Sequence, residues 1–328
     1  MAVFFEEELL KKMILKDLNF IKKNIHKINF ERLVKIASSN LILPTIYIAF
    51  RKIKFIDIPS DLKKYLEFIY NANYTRNLKL IVELNNISNI LIENKIKFNF
   101  IKGAELTRLK IYDDLGERML GDIDIVINKK QEEKTIEILN KHGYKRRIEY
   151  KFWNTVKKKP LVNINKIFSI DLHTNVDLKN SFDKEFKILS KSRGKEKTSF
   201  LLNYCIHNFL IGDSGLKFAN YNYRMINDYF KIVEYSADFK IQLHKSQESR
   251  FFSILLSHLN LLDKHDLKLS FIENLYKLRL RLNKVKIISI INYVVIKSFN
   301  RIKKIPFQLV EIIFNSKYRD NALKNFSK

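Results

Sequence analysis

The chain has 328 residues, of which 46% are hydrophobic and 29% charged, with a formal net charge of +26; that much apolar content excludes a disordered polypeptide. With only 7 glycines and 4 prolines it lacks the turn residues of an all-β sandwich. The fold expected is α+β and mostly α overall, a small mixed β-sheet core flanked by N- and C-terminal helical regions.

Residues 1–95 form the first of these regions. The opening MAVFFEEELLKK is acidic and then amphipathic, unlike a signal peptide. Leu9, Leu10, Met13, Ile14 and Leu18 recur at helical spacing, as do Leu33, Ile36 and Ala37. Pro59-Ser60-Asp61 reads as a helix start at Ser60 or Asp61. A long helix then runs from Leu62 to Asn94 through Leu66, Ile69, Leu78, Ile81, Leu84, Ile87 and Leu91. Arg76 and Lys79 ride on it as a solvated face, with a phosphate contact as the alternative.

The core is placed at residues 96–178. Phe98, Phe100 and Ile101 read as a short buried strand, broken by Lys102-Gly103, after which Ala104 to Leu109 favours helix. A loop, Tyr112 to Gly121, carries Asp113, Asp114, Glu117 and Arg118. A second strand runs from Asp122 to Ile127, and side chains two apart on a strand share a face. Asp122 and Asp124 therefore point one way while Ile123, Ile125 and Ile127 point the other. Paired carboxylates on one face repel each other unless a divalent cation offsets them; an edge strand with solvated acids is the alternative.

Gln131 to Lys141 is a short helix closed by Gly143. Lys145 to Trp153 reads as a charged edge strand and Lys157-Lys158-Lys159-Pro160 as a turn. In Ile164 to Val176, Phe168, Ile170 and Leu172 alternate with Ser169, Asp171 and His173, which sets Asp171 and His173 on one face.

Residues 179–328 return to helix. Phe200 to Leu210 is apolar around Cys205 and His207, and Lys217, Arg224 and Asp228 follow. The only cysteine, Cys205, excludes an intrachain disulfide and fits a reducing compartment. Helices are expected at Phe251–Leu262 and Leu269–Leu282. Asp263, His265 and Asp266, spaced like metal ligands, read as loop polarity. The apolar run Ile287 to Ile296, broken by Ser289, Asn292 and Tyr293, is too short to cross a bilayer. A cytoplasmic protein without a transmembrane segment is expected. Lys277, Arg279, Arg281, Lys284 and Lys286, and then Lys297, Arg301, Lys303 and Lys304, form basic clusters. They fit either a polyanion such as RNA or solvated helix faces. The excess of Lys, Ile, Asn and Phe also looks like the codon usage of an AT-rich genome, which inflates positive charge without a functional cause.

Lys102-Gly103, Arg118, Asp122-Ile123-Asp124 and Asp171-Leu172-His173 together resemble the nucleotidyltransferase superfamily, with the DNA polymerase beta-like fold, and most closely its bacterial branch of uncharacterised nucleotidyltransferases. The resemblance covers roughly residues 95–230. It implies transfer of a nucleoside monophosphate from a nucleoside triphosphate, ATP being the one expected, to an acceptor hydroxyl or phosphate. Asp122, Asp124 and Asp171 would be catalytic and would hold Mg²⁺ or Mn²⁺. Lys102, Gly103, Ala104, Arg118, His173 and His207 would contact the nucleotide, and the segment around Asp228 would wall its pocket; the alternatives are a surface pair with Asp113 or Asp114 for Arg118, a satisfied core histidine for His207, and a helix cap or ion pair, the favoured reading, for Asp228. The family's usual Gly-Ser turn is Lys-Gly-Ala here, so no hydroxyl is available to contact the γ-phosphate, and Lys102 would substitute for it. The acceptor is open between a small molecule, a peptide and RNA, the last as in toxin-like enzymes that modify tRNA ends. A nucleotide-binding protein without catalysis is a third reading, weakened by the presence of all three acids.

Overall fold

In a computed structural model the described residues are 5–146, 160–174, 182–191, 195–212, 215–219, 221–236, 247–262 and 269–282. Four short helices open the chain, α1 (Phe5–Ile14), α2 (Leu18–Asn24), α3 (Phe30–Ser39) and α4 (Leu43–Lys52), followed by the long α5 (Ser60–Glu93). The core alternates β1 (Phe98–Phe100), α6 (Lys102–Arg108), β2 (Asp122–Ile127), α7 (Glu132–Lys141), β3 (Lys145–Arg146), β4 (Leu161–Val162) and β5 (Ser169–His173). Helices α8 (Phe182–Leu189), α9 (Lys195–His207), α10 (Gly215–Phe218), α11 (Tyr223–Tyr235), α12 (Gln247–His258) and α13 (Phe271–Leu282) complete it. The α+β class and the helical flanks are as expected. No helix among the described residues is long and apolar enough to cross a membrane.

The strands form one mixed sheet in the order β1-β2-β5-β4-β3. β2 runs antiparallel to β1 and parallel to β5, with Asp122 opposite Ser169, Asp124 opposite Asp171 and Val126 opposite His173. Strand alternation then sorts the faces. Ile123, Ile125, Ile127, Ile170 and Leu172 are buried against Leu80, Leu84, Ile87 and Leu91 of α5 and against Ile138 and Leu139 of α7. The opposite face is left to the acids. Only β3, at Lys145–Arg146, is seen of the strand expected from Lys145 to Trp153; the rest of that strand and Lys157 to Lys159 lie outside the described residues. The two-residue strand β4 is too short to leave a period in the sequence.

Helix α5 begins at Ser60, where the Pro59-Ser60-Asp61 signal puts the start, with Pro59 at its N-cap, so Ser60 and Asp61 lie in the first turn. Asp61 there suits the positive end of the helix dipole. Its buried side is a strict alternation of three and four residues, in which Leu66, Tyr70, Asn73, Asn77, Leu80, Leu84, Ile87 and Leu91 all face inward. Leu78, expected on that side, is exposed, and Asn77 takes the inward position. The N-terminal helices share one hydrophobic core with α9, α11 and α12, in which Leu9, Leu33 and Phe50 join Ile226, Phe252 and Leu255.

Candidate active site

The parallel register of β2 and β5 puts the third carboxylate beside the first two. Asp171 lies directly across from Asp124, on the face that Asp124 shares with Asp122. His173, two residues further along β5, brings Nε2 to 2.8 Å from Asp124 Oδ1 and 3.6 Å from Asp171 Oδ2. Lys102 donates from Nζ to the same Asp124 Oδ1 at 2.6 Å. Asp124 is buried, while Asp122, Asp171 and His173 are half-buried.

The electrostatics of the two β2 acids diverge for that reason. Burial, reinforced by the charge of Asp124, pushes the Asp122 carboxyl above the usual range, and Lys102 only partly opposes it. Burial also acts on Asp124, but hydrogen bonds and charge from His173 and Lys102 outweigh it and hold that carboxyl below its usual range. Asp124, Asp171 and His173 each offer one ligand atom, and these atoms lie within 4.8 Å of one another. Two carboxylates and an imidazole at that spacing fit a divalent cation. Asp122 stands beside this group and not within it, so the tightest donor set exchanges one expected acid for His173.

The turn after β1, where the sequence breaks the strand at Lys102-Gly103, is tight. Lys102, not Gly103, takes the left-handed backbone, with φ of 52°. That conformation costs a non-glycine residue about 1–2 kcal/mol, and here it accompanies an ammonium held against Asp124. Gly103 is required for close approach: an added Cβ would lie 2.2 Å from Leu120 Cδ2 and 2.3 Å from Arg118 Nη1. Ala104 is fully buried behind it.

The loop from Tyr112 to Gly121 is tied into three helices. Asn73 and Asn77, the polar pair in the buried stripe of α5, donate to the carbonyls of Leu115, Gly116 and Arg118 at 2.7–3.1 Å. Asp114 accepts from Arg51 and from Tyr70 Oη, each at 2.8 Å. Glu117 is buried against Lys231 Nζ at 2.7 Å and Asn227 Nδ2 at 3.1 Å. Arg118 was expected at the nucleotide, or else paired with Asp113 or Asp114. It is buried, and its Nε and Nη2 donate to Asp228 Oδ1 and Oδ2 at 2.7 and 2.8 Å. Tyr112 Oη adds a third bond to Asp228 at 2.5 Å. Burial opposes the Arg118 charge, but Asp228 more than restores it and the guanidinium is held above its usual range.

A cavity of about 210 Å³ lies over the acids. Its polar wall is Lys102, Gly103, Arg118, Gly121, Asp122 and Asp124, and the opposite wall comes from α9 and α11. Leu201, Tyr204, Cys205 and Asn208 line it at the spacing of one helical stripe. His207 lies one residue off that stripe and is absent from the lining. Arg224, Met225, Asp228 and Ile232 contribute from α11. Helix α9 is itself anchored to the core, because buried Lys197 pairs with Glu105 of α6 at 2.6 Å and donates to the carbonyls of Leu189 and Lys191. Asp171 and His173 lie beside Asp124 but outside this lining.

Tyr204, Asn208 and Arg224 were not singled out for the site from the sequence, although drawing the stripe through α9 and the helical turn that follows it would have found the first two. Arg76 departs from the solvated face expected of it: its guanidinium lies 4.8 Å from the centre of the Phe168 ring, and its charge reaches Asp122. Lys79 is exposed as expected. Asp263, His265, Asp266 and the basic residues from Lys284 onward lie outside the described residues.

Searches of curated proteins and of solved structures returned no match. A family profile described as "Uncharacterised nucleotidyltransferase" matches residues 26–246, a span that holds every residue of the cavity wall and both acid-bearing strands, and the chain belongs to that family.

Proposed function

We propose that this protein transfers a nucleoside monophosphate from a nucleoside triphosphate to an acceptor oxygen and releases pyrophosphate. The observation that carries the reading is the β2–β5 register, which sets Asp171 against Asp124 on the face shared with Asp122, at the edge of a cavity walled by Lys102. A solvated edge strand would not need this: β2 is internal to the sheet and Asp124 is only 3% exposed.

Each residue has a task that its surroundings support. A divalent cation held by Asp124, Asp171 and His173, with Asp122 beside them, would supply charge stabilisation for the attacking and leaving oxygens. Asp171, the more exposed partner across the ladder, is placed to take the proton of an acceptor hydroxyl. His173 orients Asp124 through its 2.8 Å contact. Lys102, between Asp124 and the cavity, can turn its ammonium from the carboxylate to a phosphate oxygen, where it offsets charge developing on pyrophosphate. The acceptor oxygen forms its bond to the α-phosphorus as the bond from that phosphorus to the bridging oxygen breaks, and pyrophosphate carries the electron pair away. The apolar part of the cavity, Leu106, Leu120, Leu201 and Met225, offers a dry wall to a base or sugar.

Incubation with each α-³²P-labelled nucleoside triphosphate and Mg²⁺ or Mn²⁺, with and without total RNA, tests the reading. Label transferred to RNA, protein or a small molecule identifies the acceptor class. Transfer that survives the double substitution Asp122→Ala, Asp124→Ala overturns the assignment.

A further inference from the structure

Three cations and three acids line the cavity, and two of the cations are already engaged. Lys102 holds Asp124 at 2.6 Å. Arg118 gives Nε and Nη2 to Asp228, and its Nη1 lies 3.4 Å from the Met119 carbonyl, which leaves a neutral, buried pair. The third is Arg224. Among the described residues it has no ion pair and no side-chain hydrogen bond, and its Nε is buried without a partner.

A guanidinium N–H removed from water and left unpaired is costly, and native structures keep few of them. Arg224 is nevertheless well placed. It sits in the first turn of α11, whose N-cap Asn222 accepts from the Arg224 backbone N–H at 2.8 Å. It shares the cavity-facing stripe with Asp228, four residues on, and its charge acts on Asp122 across the cavity. Without Arg224, the Lys102, Arg118, Asp122, Asp124 and Asp228 charges leave the wall net negative, which would repel a polyanion.

We infer that Arg224 is the residue that receives the phosphates of the nucleoside triphosphate, the task the sequence suggests for Arg118. The planar fork of a guanidinium matches two phosphate oxygens, and the partner missing in the free protein is then supplied by the ligand. Phosphates bridging from Arg224 to the acids of β2 would span the cavity from α11 to the sheet. The inference deepens the nucleotidyl-transfer reading and rests on it.

Binding of the four nucleoside triphosphates and of inorganic tripolyphosphate, each with Mg²⁺, to wild type, Arg224→Gln and Arg224→Lys tests it. The expected result is at least a tenfold loss of affinity for both the preferred nucleotide and tripolyphosphate in Arg224→Gln, with part of it recovered in Arg224→Lys. Thermal midpoints of both variants should match wild type, since no partner is lost; a merely structural arginine would instead lower the midpoint. Equal affinity in wild type and Arg224→Gln overturns the inference and leaves nucleotidyl transfer standing. So does a loss of RNA binding alone, which would assign Arg224 to the acceptor. A wild type that binds neither a nucleotide nor tripolyphosphate removes both readings.

Discussion

Two charged regions meet at one cavity wall, and they treat charge in opposite ways. In the loop from Tyr112 to Gly121, Asp114 meets Arg51 and Tyr70, Glu117 meets Lys231, and Arg118 meets Asp228 in a two-pronged pair. Even the loop carbonyls are capped by Asn73 and Asn77. On the sheet face, Lys102 and His173 converge on one oxygen of Asp124, His173 also lying 3.6 Å from Asp171, and Asp122 is left with its carboxyl pushed up. Apart from exposed Asp113, the loop is closed within the protein: Asp114, Glu117 and Arg118 are each paired to α4, α5 or α11. The sheet face is open, with more negative charge than its own side chains offset, which is what the proposed binding of a cation and a polyanion would use. Nearness to a cavity therefore does not make a charge functional; lack of an internal partner is the better guide.

The sharpest break between the regions should come from removing one partner of a closed pair. Asp228→Ala leaves Arg118 buried and alone, and should cost about 3–5 kcal/mol of stability, read from denaturant midpoints. Replacing both Arg118 and Asp228 by leucine should cost less than either single change, because no uncompensated charge remains. On the open face the order reverses. Asp122→Asn should hold stability within about 1 kcal/mol of wild type, since it relieves repulsion, while lowering transfer by about 10²–10⁴-fold, the span for groups acting on the reacting atoms.

Gly103→Ala probes the seam between the regions. The new methyl group meets Leu120 and Arg118, and overpacking of this kind should cost about 1–3 kcal/mol, seen as a lowered thermal midpoint together with weaker nucleotide binding. The smallest effect should come from a closed pair far along the chain, Glu273 with Arg250 between α12 and α13. The Arg250 guanidinium, at 2.5 and 2.9 Å, outweighs burial and holds Glu273 down at about 2. A depressed carboxyl stabilises above its unfolded value of about 4.3, and that contribution fades as pH falls through the folded value. The stability difference between wild type and Glu273→Gln should thus be constant above about pH 5 and shrink toward pH 2.

How much of this was legible beforehand follows from the range of the interactions. The α5 helix, the β2 and β5 strands and the shared face of Asp122 and Asp124 are set by local period, and the period was plain in the sequence. Asp171 came from the resemblance, and its place beside Asp124 needs a parallel pairing that no local pattern encodes. The partner of Arg118 lies 110 positions away, so nearby Asp113 and Asp114 drew attention instead. His207 came from the resemblance, whereas the stripe that faces the cavity runs through Tyr204 and Asn208. Asn73 and Asn77 left a readable mark, two amides in an apolar stripe, but their meaning depends on a loop that crosses there. The sequence marks Lys102-Gly103 as the break after β1 but not that the lysine takes the left-handed backbone while the glycine makes room.

The most direct test of the central claim, that the open acids of β2 and β5 carry out nucleotidyl transfer, is pyrophosphate release from each nucleoside triphosphate by wild type and by Asp124→Asn, in the presence of a cell extract as acceptor source. The account predicts metal-dependent release from at least one nucleotide with wild type and none above background with the variant. Equal release by both proteins would contradict it.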